Sequence, residues 1–157
     1  MTYATLTARA IPLNILAYIQ SDQESYLETG LKLIKNVSQT VANRSIPYYP
    51  SIAFLDDNDA KDYSGDVIQA VYSATFEISV TSDDPDDAVT QARKYEAAVE
   101  SMILNCPTLT TDTGAIAASI NTLESGFDQI KTNDQQNEFL QVFQIRATWL
   151  LTAGAYE

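Results

Sequence analysis

Hydrophobic and polar residues alternate most strictly between Val67 and Thr81. Tyr72, Ala74, Phe76, Ile78 and Val80 share one parity, while Val71, Ser73, Thr75, Glu77 and Ser79 share the other. Successive strand side chains point to opposite faces, so this period predicts a long, half-buried strand. The pattern then changes at Ser82-Asp-Asp-Pro-Asp-Asp87. Asp84 is placed to cap a helix and Pro85 to open it at no hydrogen-bonding cost. Asp86 and Asp87 fall where the helix dipole favours anions. Ala88, Ala92, Tyr95, Val99, Met102 and Ile103 follow at helical spacing, and Asn105-Cys-Pro107 ends the run. One strand face and one helix stripe thus match each other as two halves of a core. The Asp83–Asp87 run has the composition of a metal or acid site but is explained by the helix start.

On either side the pattern is weaker. Met1–Ala10 reads as a loose arm. Leu13, Leu16, Ala17, Ile19, Tyr26 and Leu27 give a helical stripe over roughly 11–28, broken near Ser21-Asp22 and ended by Gly30. Leu31–Val41 alternates moderately and predicts a strand. Ser45-Ile-Pro-Tyr-Tyr-Pro50 forces an extended turn, and Ser51–Leu55 predicts a short second strand. Tyr48 and Tyr49 there serve either as an aromatic contact or as a plug at the sheet edge. Asp56–Gly65 reads as a solvated acidic loop. It fails as a calcium loop: in the register starting at Asp57, Lys61 and Ile68 occupy ligand positions. Thr108–Gly114 reads as a loop. Residues 116–131 carry helical spacing alongside Thr122, Ser125, Gly126 and Asp128, and are assigned to a strand with a bulge near Gly126. Thr132–Asn137 is a turn. The last strand, Glu138–Leu151, is apolar on both parities: Phe139, Phe143, Ile145, Ala147, Trp149 and Leu151 on one, Leu140, Val142 and Leu150 on the other. Its second face asks for a cover, and a neighbouring subunit is the reading adopted. The expected fold is one α+β domain over 1–157, a mainly antiparallel sheet of four to five strands packed by two helices in the order α-β-β-β-α-β-β.

Composition narrows the chemistry. The 157 residues are 45% hydrophobic, enough for a core without staples. A net charge of −12 disfavours nucleic-acid and anionic-membrane binding and suits a basic protein partner or a passage through which nucleic acid slides. There is no histidine, which removes the commonest general base and metal ligand. The single cysteine, Cys106, forms no internal disulfide and reads as a packing residue. No run of about 18 apolar residues predicts a membrane span, and Ala10–Ile19, interrupted by Pro12 and Asn14, reads as an amphipathic helix, not a leader. The glycines are too widely spaced for a phosphate loop. Glu77, inside the long strand, is expected to meet Arg146 across the sheet. No catalytic, cofactor or metal residues are assigned. A carboxylate hydrolase would instead need two converging acids, one with a raised pKa.

Several segments together resemble the tail terminator (tail completion) proteins of tailed bacteriophages. They are the long strand with its Asp-rich cap, the helix Ala88-x3-Ala92-x5-Ala98-Val99-x3-Ile103, the proline-marked Ser45–Asp56, and the closing pair Leu123-Glu-Ser-Gly-Phe-Asp128 and Phe139–Ala147. The resemblance spans about residues 11–151 and departs most in the first helix, at Pro12 and Ser21–Ser25. It implies a virion protein of the tail neck, assembled in the host cytoplasm as a homo-oligomeric ring, commonly a hexamer. Such a ring ends tube growth at the head-proximal end, contacts the tail tube protein and a head-completion or connector protein, and lets DNA pass through its lumen without specific binding. No enzyme activity, cofactor or membrane is implied. Six copies at −12 each carry −72, and part of that charge lining a lumen would repel DNA phosphates. Glu77, Arg146, Trp149, Asp56, Asp57, Asp59 and Asp62 are the candidate ring-interface or lumen positions. The competing readings are another neck protein (a head–tail connector or stopper) and a monomeric ferredoxin-like binding domain.

Overall fold

The computed structural model describes residues 2–3, 10–38, 49–62, 67–106, 117–133 and 138–156. Its elements in order are β1 (Thr2–Tyr3), α1 (Ala10–Asp22), a 3-10 turn (Gln23–Ser25), β2 (Asn36–Ser38), β3 (Ser51–Asp62), β4 (Val67–Ser82), α2 (Pro85–Asn105), β5 (Ala117–Phe127), β6 (Lys131–Asn133) and β7 (Glu138–Tyr156). Apart from the short β1 and β6, this is the α-β-β-β-α-β-β order, and the fold is α+β. The sheet runs β2-β3-β4-β7, and β5, β6 and β1 all pair along the far side of β7. Among the described residues only β2 against β3 is parallel, and the other pairings are antiparallel.

The core follows from two matched parities. Register sets Tyr72 opposite Trp149, Ala74 opposite Ala147, Phe76 opposite Ile145 and Ile78 opposite Phe143. All eight side chains are buried. The α2 stripe covers them through Ala92, Tyr95, Val99, Met102 and Ile103, and α1 adds Ile11, Ile15, Leu16 and Ile19 to the same cluster. Both helices therefore lie on one face of the sheet. Each large apolar side chain so buried contributes about 1.5–3 kcal/mol relative to exposure.

The start of α2 matches its sequence signature. Asp84 has extended backbone, accepts from the Asp86 N–H at 3.0 Å through its side chain, and its carbonyl accepts the Ala88 N–H at 2.9 Å. Asp84→Ala is expected to lower stability by about 1 kcal/mol in urea melts, because one orphan N–H loses its acceptor.

Other boundaries differ from expectation for physical reasons. Thr2–Tyr3 is not a loose arm but a strand paired with Ala155 and Tyr156; residues 4–9 lie outside the described residues. The first helix ends at Asp22, and the chain tightens into the 3-10 turn before Gly30, whose φ of +99° is left-handed. An added Cβ at Gly30 would meet nothing within 4 Å, so its constraint is the backbone alone. Of the expected strand Leu31–Val41, only Asn36–Ser38 is strand; residues 39–48 lie outside the described residues. Buried Gln23 explains part of this. Its side-chain amide accepts from the Ile34 N–H at 2.6 Å and donates to the Ile34 carbonyl at 3.0 Å, taking the place of a neighbouring strand.

The largest correction concerns the acidic stretch. Asp56–Asp62 is the second half of β3, not a loop, and pairs residue by residue with Gln69–Thr75. Asp and Asn are poor strand formers, but backbone bonds to a long partner outweigh that preference while the side chains stay in water. A bulge at Leu55 shifts the register between the two halves. In β5 the irregularity falls at Asn121, between Ile120 and Thr122, not near Gly126, which keeps its place opposite Gln144. Thr132 and Asn133 of the expected turn belong to strand β6, and residues 134–137 lie outside the described residues.

Candidate interaction surface

The sheet face opposite the helices is built from the second parity of each strand. In β4 it presents Val71, Ser73, Thr75, Glu77 and Ser79; in β7 it presents Leu150, Thr148, Arg146, Gln144 and Val142 opposite them. One end is apolar: Val71 and Leu150 face each other with 43% and 42% of their surface exposed, and Ala60 lies on the other side of Val71. The next rows are hydroxylic. Ser73 and Thr148 hydrogen bond at 2.9 Å, and both Ser73 and Thr75 are buried beneath the longer side chains around them. Charge is concentrated in the row that crosses Asp56, Thr75, Arg146 and Glu124.

Glu77 and Arg146 are not partners. The residue opposite Glu77 is Gln144, whose Nε2 donates to the carboxylate at 3.4 Å. Arg146 lies opposite Thr75, donates to its hydroxyl at 3.2 Å, and reaches over this short side chain to within 3.9 Å of Asp56. Both ends of that ion pair are solvated, so it contributes no more than about 1 kcal/mol. Its role is to hold a guanidinium among carboxylates on an open face.

The other candidate positions separate. Trp149 is fully buried within the single chain, stacked at 6.1 Å on Tyr72, so it belongs to the core and not to this surface. Asp57 and Asp59 take the helix-side parity of β3. Asp57 accepts from the Tyr72 hydroxyl at 3.0 Å, and Asp59 pairs with Lys61 at 3.3 Å. By alternation Asp62 shares the open face with Asp56. The register thus brings Asp56, Glu77 and Arg146 together, with Asp62 at the apolar end. Glu124 was missed by the sequence reading, although an acid midway along a strand carries the same signal as Glu77.

A cleft of about 430 Å³ lies at the β4–α2 junction, lined by Tyr49, Tyr95, Asp83, Asp87, Gln91 and Glu138. Tyr49 is half-buried there, its phenol pushed up by burial and by Glu138, while Tyr48 lies outside the described residues. The Tyr95 hydroxyl donates to the Lys32 carbonyl at 2.5 Å, and burial pushes that phenol up to about 12. A phenolate is unable to donate this bond. The folded value lies above the unfolded value of about 10, so the contribution is complete below pH 10 and is lost as pH rises towards 12. Tyr95→Phe is expected to cost about 1 kcal/mol at neutral pH and to flatten part of the alkaline loss in melts between pH 9 and 12.

Burial, with Glu96 nearby, raises the Glu100 carboxyl. Glu100 is not part of the cleft lining. Glu96 is itself engaged, accepting from Ser125 at 2.5 Å and pairing with Arg93 at 3.5 Å, and Arg93 covers the Phe127 ring at 3.8 Å. These contacts fasten α2 to β5. Among the described residues no three potential metal ligands converge, and no helix is long and apolar enough to cross a membrane. No family model matches the sequence, and no curated protein matches it.

Proposed function

We propose that this chain is a structural subunit of a phage tail, a terminator that assembles as a ring, commonly of six copies, on the head-proximal end of the tail tube. In this reading the ring ends tube polymerisation, offers its upper surface to a head-completion or connector protein, and passes DNA through its centre. It carries out no reaction and holds no cofactor.

The observation that carries the reading is the one-sided sheet. A helix layer closes one face, while the other keeps a solvated Val71–Leu150 pair beside the Asp56–Arg146–Glu124 row. Such a face is expected in a subunit that shares its sheet with a lumen or a neighbour. The charge of −12 supports passage of DNA without adhesion. The residues that carry the sequence resemblance include much of β4, α2, β5 and β7, which form the framework of the fold.

Tube growth in vitro tests it. Purified tube protein polymerised with this chain should give tubes of arrested length, with the chain at one end only. Tubes that lengthen as they do without it would reject the terminator role. If heads also leak DNA in its absence, a connector or stopper is the better assignment.

A further inference from the structure

Among the described residues the sheet has two long edges without a further strand partner, and they differ in character. On one side, β2 covers only Ser51–Ala53 of β3, and Phe54–Lys61 has no strand partner beyond β4 among the described residues. On the other side, β5 pairs with β7 along its inner edge, and its outer edge meets no described strand.

Natural edge strands are guarded by proline, lysine, other charges or shortness. β3 has such guards, since Asp56, Asp57, Asp59 and Lys61 crowd its free half. β5 lacks most of them. Its eleven residues contain no proline, lysine or arginine, and Glu124 is its single charge. Apart from the bulge at Asn121, this edge carries little protection along its length, and it is suited to receiving a strand.

We propose that β5 of one copy pairs antiparallel with the Phe54–Lys61 edge of the next copy, so that the sheet continues from subunit to subunit; this rests on the ring reading above. Strand direction supports it. β3, β4, β7 and β5 are related by three antiparallel steps, so the two open edges run in opposite directions. A copy rotated about an axis roughly along the strands offers β3 to β5 in antiparallel sense. Charge selects the same pairing. Two β3 edges brought together would oppose their aspartates, whereas β3 against β5 meets one carboxylate. Symmetry agrees as well: a β5–β5 contact closes at two copies, while unlike edges propagate and close into a ring.

A consequence follows for the lumen. The bulky helix layer takes the larger outer circumference, so the open sheet face turns inward. Asp56, Glu77 and Glu124 around Arg146 then line the channel, a lining with more negative than positive charge.

Single-cysteine exchange tests the contact. Asn58, Ser73, Thr148 and Thr122 form one row across the sheet, so Asn58 and Thr122 stand at its two edges. Both are exposed, and native Cys106 is buried. Thr122→Cys chains are mixed with Asn58→Cys chains, and in parallel with Asp56→Cys or Ala60→Cys chains to cover a stagger of two residues either way. Each mixture is oxidised mildly at high concentration, alone and with purified tail tubes, and assembly is followed by native mass spectrometry. At least one mixture should cross-link several-fold more than either of its components alone. Dimers from Thr122→Cys alone would overturn the proposal in favour of a two-copy contact. Rings that form without cross-linking in any mixture would reject the edge contact and leave the ring reading standing. Chains that stay monomeric even with tubes would reject both.

Discussion

Replacing Trp149 with alanine is expected to lower stability by about 3–5 kcal/mol, the usual cost of deleting a buried indole. Trp149 is fully enclosed in the single chain, opposite Tyr72 on β4 and Ile120 on β5, where three strands meet beneath the helices. Its loss would leave a void on both sides of β7, and the rigid sheet can close little of it. The indole Nε1 is buried without a hydrogen-bond partner among the described residues. Trp149→Phe should therefore cost well under half as much as the alanine change, because it keeps an aromatic ring on Tyr72 and removes an unsatisfied donor. Urea unfolding of both variants is the check. A loss below 1 kcal/mol for the alanine variant would contradict the placement of Trp149 in the core.

The second large effect is expected at Gln23. Among the described residues this side chain satisfies both the N–H and the carbonyl of Ile34, which is itself buried. Gln23→Ala strands two polar groups away from water, each costing about 1–3 kcal/mol, and the sum is about 2–6 kcal/mol. Gln23→Leu should cost nearly as much despite filling the space, which separates lost hydrogen bonds from lost packing. Gln23→Glu adds a sign test. Its carboxylate can still accept from the N–H but opposes the Ile34 carbonyl, so folding favours the protonated acid and raises its pKa. That variant should be least stable at neutral pH and should recover as pH falls, the reverse of ordinary acid denaturation. Faster hydrogen exchange at the Ile34 amide in the alanine variant would show that the effect is local.

These two residues also mark what the sequence disclosed and what it did not. Trp149 shares its parity with Phe143, Ile145, Ala147 and Leu151, so its burial follows from period two. The same logic made β4, α2 and the α+β order readable, because repeated apolar spacing reports a face and Asp84-Pro85 reports a helix start. Gln23 carries no such signal. Nothing local distinguishes a glutamine that bridges to a segment eleven residues away from one in water. Asp56–Asp62 has a loop composition, so residue pattern alone ends β3 at Leu55, whereas the strand there comes from backbone bonds to β4. Arg146 and Glu77 share one face by alternation, which suggests a pair. Register decides such pairings, and it sets Gln144 opposite Glu77. The open face was legible in outline from the second apolar parity of the last strand. Its Asp56–Thr75–Arg146–Glu124 row was not, because it depends on bulges at Leu55 and Asn121 that no residue pattern announces.

Both bulges also bear on assembly, since they set which residues of β3 and β5 lie level at the two sheet edges. The most direct measurement of the central claim is an electron micrograph of purified tail tubes mixed with this chain. A ring with a central hole should be seated on one end of each tube, at a mass of about six 17.3-kDa copies. Bare tube ends, with the chain remaining monomeric in the same mixture, would contradict it.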